Sequence, residues 1–274
     1  MGYDQRQQHL YLHLASLDET RMISTRLPVG MIADDLTGAC DTGVQFAKRG
    51  LRSTVCFNLD AFNASIADVI ILSSDSRADN PQMAMGKDDY LCQQLQSKGI
   101  PLFYKKIDST LRGQVGAEIE SARHATGCAL AVVTPAFPIM GRTVVDGWLQ
   151  IAGPDPIKPL HLPTYLHEQS EIPVEHLSIQ ALETGLLAKR IAEADRAKPL
   201  ILAVDARSDE LLACIATAVL HAPYALLMAG SGGLGDQVAA QLAEHFGYVS
   251  PSATAQVANA QQPDKRPVVL FIGS

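Results

Sequence analysis

The stretch Tyr104–Gly113, YKKIDSTLRG, sets Lys105, Lys106, Asp108, Ser109, Thr110 and Arg112 within ten positions. An apolar, strand-like run (PLFYKKI, 101–107) leads into it, and QVGAEIESARHA, patterned as a helix, follows. A strand-to-helix junction of this kind suits the grip of a small anion. An arginine fork can take a carboxylate through two parallel hydrogen bonds, and the free N–H groups of a helix start add partial positive charge. Successive strand side chains point to opposite faces, so only one of Lys105 and Lys106 needs to face such a site. A plainer use of the same residues is an Asp108–Arg112 pair that staples the turn ahead of Gly113. The two uses are compatible.

Four further stretches carry candidate chemistry. IADDLTGACDTG (32–43) ends a strand in two adjacent aspartates, Asp34 and Asp35, just before a helix. Carboxylates there suit proton abstraction or metal contact, whereas helix capping accounts for one of them and not both. Asp35, nearer the Thr37–Gly38 turn, is favoured over Asp34 as the group that orients a hydroxyl and accepts its proton. SSDSRAD (73–79) contributes Asp75, Ser76 and Arg77, and TPAFPIMGRTVVDG (134–147) contributes Arg142. GSGGLG (230–235), with Gly230, Ser231 and Gly232, has the spacing of a dinucleotide fingerprint. A linker-like stretch follows before any second strand and acidic ribose ligand, so a nicotinamide oxidoreductase ranks below an anion-holding turn or a plain glycine helix start. The phosphate-loop pattern G-x-x-x-x-G-K-[ST] does not occur.

These stretches need a scaffold that brings them together. Short apolar runs at 29–33, 53–57, 68–74, 101–107, 128–135, 199–205 and 224–230 read as strands. Helical patterns occupy 38–50, 80–99, 208–222 and the residues after 235. This alternation predicts an α/β fold, a mostly parallel sheet with helices on both faces. Ligands of such sheets sit beyond the carboxyl ends of the strands, where all five stretches fall. Residues 141–176, rich in proline and poor in helical period, predict a hairpin and a long surface excursion. The expected organisation is an extension at 1–27, a binding domain at 28–248, a linker at 249–267 and, at 268–274, the first strand of a missing second domain.

Composition narrows the partners. With 47% hydrophobic and 19% charged residues the chain can build a sizeable core. A net charge of -7 argues against nucleic acid or an anionic membrane, so local cations must overcome the global field to hold an anion. The five cysteines are scattered and without C-x-x-C, which fits a reducing cytoplasm and neither a disulfide framework nor a zinc site. No apolar run reaches spanning length.

In order, IADDLTGACDTG, DSRA, YKKIDSTLRGQVGAEIE, PAFPIMGRTVVDG and GSGGLG resemble the N-terminal domain of the four-carbon acid sugar kinases, over about residues 28 to 248. That family, long grouped as a domain of unknown function, includes the D-threonate, D-erythronate and 3-oxo-tetronate kinases. The resemblance implies a sugar acid held by this domain and ATP with Mg²⁺ bound mainly by a second, C-terminal one. That second domain opens on a strand like VVLFIGS, with Ser274 at the edge of the nucleotide site. It implies ATP-dependent phosphorylation of the acid, with homo-oligomer formation allowed. These 274 residues alone are then expected not to turn over ATP. The alternative is a non-catalytic acid-sugar binding or regulatory module.

Overall fold

The computed structural model describes residues 29–57, 59, 67–153 and 159–248. The expected extension at 1–27, the linker at 249–267 and the strand at 268–274, Ser274 included, lie outside the described residues. In chain order the strands are β1 (Val29–Ala33), β2 (Ser53–Cys56), β3 (Val69–Ser73), β4 (Leu102–Lys106), β5 (Leu130–Thr134), β6 (Arg142–Val145), β7 (Trp148–Ile151), β8 (Leu160–His161), β9 (Val174–Leu177), β10 (Leu200–Val204) and β11 (Leu227–Gly230). Eight of them form one sheet in the order β2-β3-β1-β4-β11-β5-β10-β9, parallel at every pairing. Among its inner strands β1 and β5 are apolar and buried throughout, as the continuous runs required, while β4 ends in the buried lysines Lys105 and Lys106.

The helices are α1 (Leu36–Lys48), α2 (Pro81–Ser97), α3 (Val115–Ala125), α4 (Leu162–Gln169), α5 (Ile179–Glu183), α6 (Leu186–Glu193), α7 (Asp209–Leu220) and α8 (Gly232–Phe246). Short polar side chains start several of them. Asp35 accepts from the Gly38 N–H, Asn80 from Met83, Ser208 from Leu211 and Ser231 from Gly233. The alternation of β4 separates the two helical layers. Tyr104 sends its hydroxyl to the Ser231 carbonyl at the start of α8, on the side where α1, α7 and α8 pack. Lys105 points the other way, to Asp88 on α2 and Glu118 on α3, and α4 packs on α3 there.

The segment 141–176 is richer than the sequence suggests. The hairpin is present as β6–β7, and β8 joins it in a small antiparallel sheet. Among its described residues the remainder is not a surface excursion. It contains α4, with Leu162 and Leu166 buried, and β9, which completes the edge of the main sheet. Eight residues are too few for a helical period to stand out, and Pro163 sits in the first turn, where a missing N–H costs nothing.

Candidate functional site

A cleft of about 250 Å³ opens at the carboxyl ends of the strands. Asp35, Thr37, Gly38 and Asp41 line it from the start of α1, and Arg77 from the loop after β3. Lys106, Asp108, Ser109 and Arg112 come from the end of β4 and its loop, while Phe137, Met140 and Arg142 come from the turn that enters the hairpin. Ser231 and Gly232 close it at the start of α8. Thus the five stretches do converge. The volume suits a metabolite smaller than the drug-sized ligands of larger clefts.

Most of the charges here are paired with one another. Arg77 donates from Nε and Nη2 to the two oxygens of Asp34, at 2.7 and 2.9 Å, and from Nη1 to Asp35 at 2.6 Å. Asp34 is buried behind the cleft, outside its lining, and its carbonyl accepts the N–H groups of Ser76 and Arg77. Asp35 faces the cleft and also caps α1, with Gly38 N–H donating at 2.7 Å. One aspartate was expected to face the ligand and the other to bind backbone; Asp35 does both. Asp108 accepts from Nε and Nη2 of Arg112, both at 2.9 Å, and from the Thr110 hydroxyl. The staple is therefore formed. Burial alone would raise the Asp108 carboxyl, and the bonds from Arg112 and Thr110 outweigh it, holding the group well below the usual carboxylate range.

The loop between β4 and α3 is held under strain. Leu111, with its side chain buried, sits at φ 61°, where a branched residue is disfavoured. Its N–H donates to the Asp108 carbonyl and its own carbonyl accepts the Tyr165 hydroxyl at 2.6 Å. These contacts hold Arg112 in register with Asp108.

Several expected ligand residues lie elsewhere. Lys105 is fully buried on the opposite face, 2.5 Å from Asp88 and 3.1 Å from Glu118, because alternation sends its side chain under α2 and α3. Ser76 donates to Glu118 behind the cleft, and Asp75 is an exposed turn residue at φ 46° whose carbonyl accepts from Lys87. Gly113 makes the turn at φ 95° and gives its carbonyl to Tyr165. Gly230 is a packing glycine, since a Cβ there would stand 2.8 Å from the Tyr104 hydroxyl. The start of α3, expected to help hold the anion, gives its Gly116 N–H to Gln169 of α4. The glycines of GSGGLG serve close approach: a Cβ on Gly233 would lie 2.8 Å from the Ala136 carbonyl. Sequence reasoning missed Thr37, Gly38, Asp41, Phe137 and Met140. Asp41 stands one turn beyond Thr37–Gly38, so helical spacing was the signal that could have found it.

The family model for the sugar-binding N-terminal domain matches residues 29–238, nearly the whole described domain. The chain belongs to this family. Among its sugar-binding relatives, a D-threonate kinase of Salmonella typhimurium is 34% identical over 77% of this chain and 53% of its own length. A D-threonate kinase of Bordetella bronchiseptica is 36% identical over 75% and 53%. A 3-oxo-tetronate kinase of Pseudomonas fluorescens is 30% identical over 74% and 52%. The chain thus spans about half the length of these curated relatives. A domain of unknown function from Bordetella bronchiseptica, solved with bound citrate as a domain-swapped dimer, superposes with a TM-score of 0.63 at 31% identity, over 77% of this chain and 55% of that one. The solved Haemophilus influenzae member of the same grouping gives a TM-score of 0.67 at 26% identity, over 79% and 56%.

Proposed function

We propose that this sugar-binding domain is the acid-binding half of an ATP-dependent kinase for a four-carbon sugar acid of the threonate, erythronate or oxo-tetronate type. The observation that carries the reading is the small cleft of mixed charge at the strand ends, in which cations and Asp35 face one space. The names of the relatives matched over this same half support it. Phosphoryl transfer asks a protein chiefly to position its reactants and stabilise charge. The cleft cations hold the carboxylate of the acid. Asp35, fixed by the Gly38 N–H and Arg77, orients the hydroxyl to be phosphorylated and accepts its proton as the new P–O bond forms. Asp34 acts through Arg77 as a positioning residue.

ATP with Mg²⁺ is the phosphoryl donor in this reading. Among the described residues no group of three or more His, Cys, Asp or Glu side chains fits a metal ion, so no residue here is assigned to Mg²⁺. No described helix is long and apolar enough to cross a membrane, which accords with a cytoplasmic enzyme. The citrate-bound, domain-swapped Bordetella dimer supports small-acid binding and self-association.

The test is calorimetric titration of the chain with D-threonate, D-erythronate and the uncharged alcohol threitol. Saturable binding of an acid and none of threitol is expected. Joined to a nucleotide-binding half from a relative, the chain should then phosphorylate the bound acid. Failure to bind any four-carbon acid overturns the reading, and binding without transfer leaves a binding module.

A further inference from the structure

Four cations border the cleft, and they are not equivalent. Arg77 is tied to Asp34 and Asp35 through three N–H groups. Arg112 has both arms of its fork on Asp108, and its side chain is 66% exposed. Arg142, half-buried at the rim, forms no ion pair among the described residues; it gives Nη1 to the Met140 carbonyl, and its Nε is buried without a hydrogen-bond partner. Lys106 is different. It is only 5% exposed, lines the cleft, and forms no ion pair among the described residues. Its ammonium donates to the carbonyl of its own neighbour, Ile107, at 2.8 Å.

An ammonium taken out of water without a counter-ion is costly, and folds keep such a group where something else pairs with it. The surroundings sharpen the cost. The start of α1 lies against this ammonium: a Cβ on Gly38 would stand 2.9 Å from Nζ. The start of α8, at Ser231 and Gly232, faces the same cleft. The start of α1, with its partial positive charge, therefore meets a buried cation, and a second helix start borders the same cleft. Burial drives the Lys106 ammonium below the usual lysine range, although Asp34, Asp108 and Asp35 pull it back; those carboxylates are already held by Arg77 and Arg112.

We infer that Lys106 is the anchor for the substrate carboxylate, and that Arg77 and Arg112 serve mainly to hold the aspartates. This deepens the function proposed above and rests on it for the identity of the acid. The carboxylate of the ligand completes the ion pair that the fold leaves open.

The experiment measures charge discrimination. D-threonate and its uncharged amide are titrated into the 274-residue chain and into Lys106→Met, Lys106→Arg, Arg112→Ala and Arg142→Ala, with thermal melts to confirm folding. The wild type should prefer acid over amide by about a hundredfold, the scale of a desolvated charge pair. Lys106→Met should bring that preference close to unity, Lys106→Arg should restore part of it, and Arg112→Ala should reduce it by less than about tenfold, as for an exposed pair. A preference that survives Lys106→Met, or that vanishes in Arg142→Ala instead, overturns the assignment. Citrate separates the two proposals. If the wild type binds citrate but no four-carbon acid, and Lys106→Met loses citrate, the anchor stands and the substrate reading falls. If the wild type binds neither, both fall.

Discussion

Asp108 shows how one side chain makes the cleft loop depend on pH. Its carboxylate receives Arg112, Thr110 and the Arg112 N–H, so the ionised form is favoured in the folded state. The folded-state value lies below the unfolded one, near 3.9. The stability it contributes is therefore complete above that unfolded value and is lost as pH falls through the folded one. Urea unfolding between pH 3 and 5 should show a slope in the wild type that is shallower in Asp108→Asn. Asp35 carries the catalytic expectation at this scale. In a polypeptide joining this chain to a nucleotide-binding half, Asp35→Asn should lower turnover by about a hundredfold or more with acid affinity nearly kept, as for removal of a general base. Near-normal turnover in that variant, with a large loss in Asp41→Asn, would move the role to Asp41, the other carboxylate of the α1 lining.

At the scale of elements, the layer under the cleft is tied together by Lys105. It joins β4 to α2 through Asp88 and to α3 through Glu118, and Glu118 in turn accepts from Ser76, one residue before Arg77. One ammonium between two carboxylates leaves a sealed excess of negative charge. Burial, together with the Glu118 charge, raises the Asp88 carboxyl to about 6 despite Lys105. Lys105→Met should destabilise the fold by about 3–5 kcal/mol in urea unfolding, because two buried carboxylates lose their counter-charge. A loss under 1 kcal/mol would mean that the cluster relaxes or takes up protons. The two lysines also mark how far the sequence could be read. Alternation showed that only one would face a ligand. Which one depends on the helices that cover each face, and that is set by chain crossovers rather than by any local pattern. The strands were legible because parallel strands buried on both sides are largely apolar, and even β4 is so up to its two terminal lysines. α4 and β9 were not, because each is short and draws its stability from contacts distant in sequence. The convergence of the aspartates and arginines on one edge followed from the fold class. Their mutual pairing did not, since whether Arg112 reaches outward or folds back on Asp108 turns on the αL geometry of Leu111.

Across the whole molecule, a chain of net charge -7 presents a cleft with four cations at one end of its sheet. Because the cleft walls come from the start of α1, the loop after β3, the end of β4 and its loop, the turn into the hairpin and the start of α8, an occupant ties together parts of the fold far apart in sequence. A ligand at a hundred times its dissociation constant adds about 2.7 kcal/mol. D-threonate at that excess should raise the melting temperature by roughly 5–10 °C for a domain of this size. An equal rise with threitol would show that the gain does not come from the carboxylate.

The place of β11 in the sheet bears on how the protein must be made. This strand, Leu227–Gly230, lies between β4 and β5, which do not pair with each other. On the ribosome the middle of the sheet is therefore the last strand of the described domain to emerge. Until it does, the nascent chain holds two half-sheets, each with an unpaired edge strand, β4 or β5, and a cleft without its Ser231–Gly232 wall. Open edges of this kind pair with whatever strand is near. A chain ending at residue 226 should accumulate as aggregate or chaperone-bound material, while one extending through Tyr248 can close its sheet, so the final stretch of synthesis separates an open-edged intermediate from a closed one.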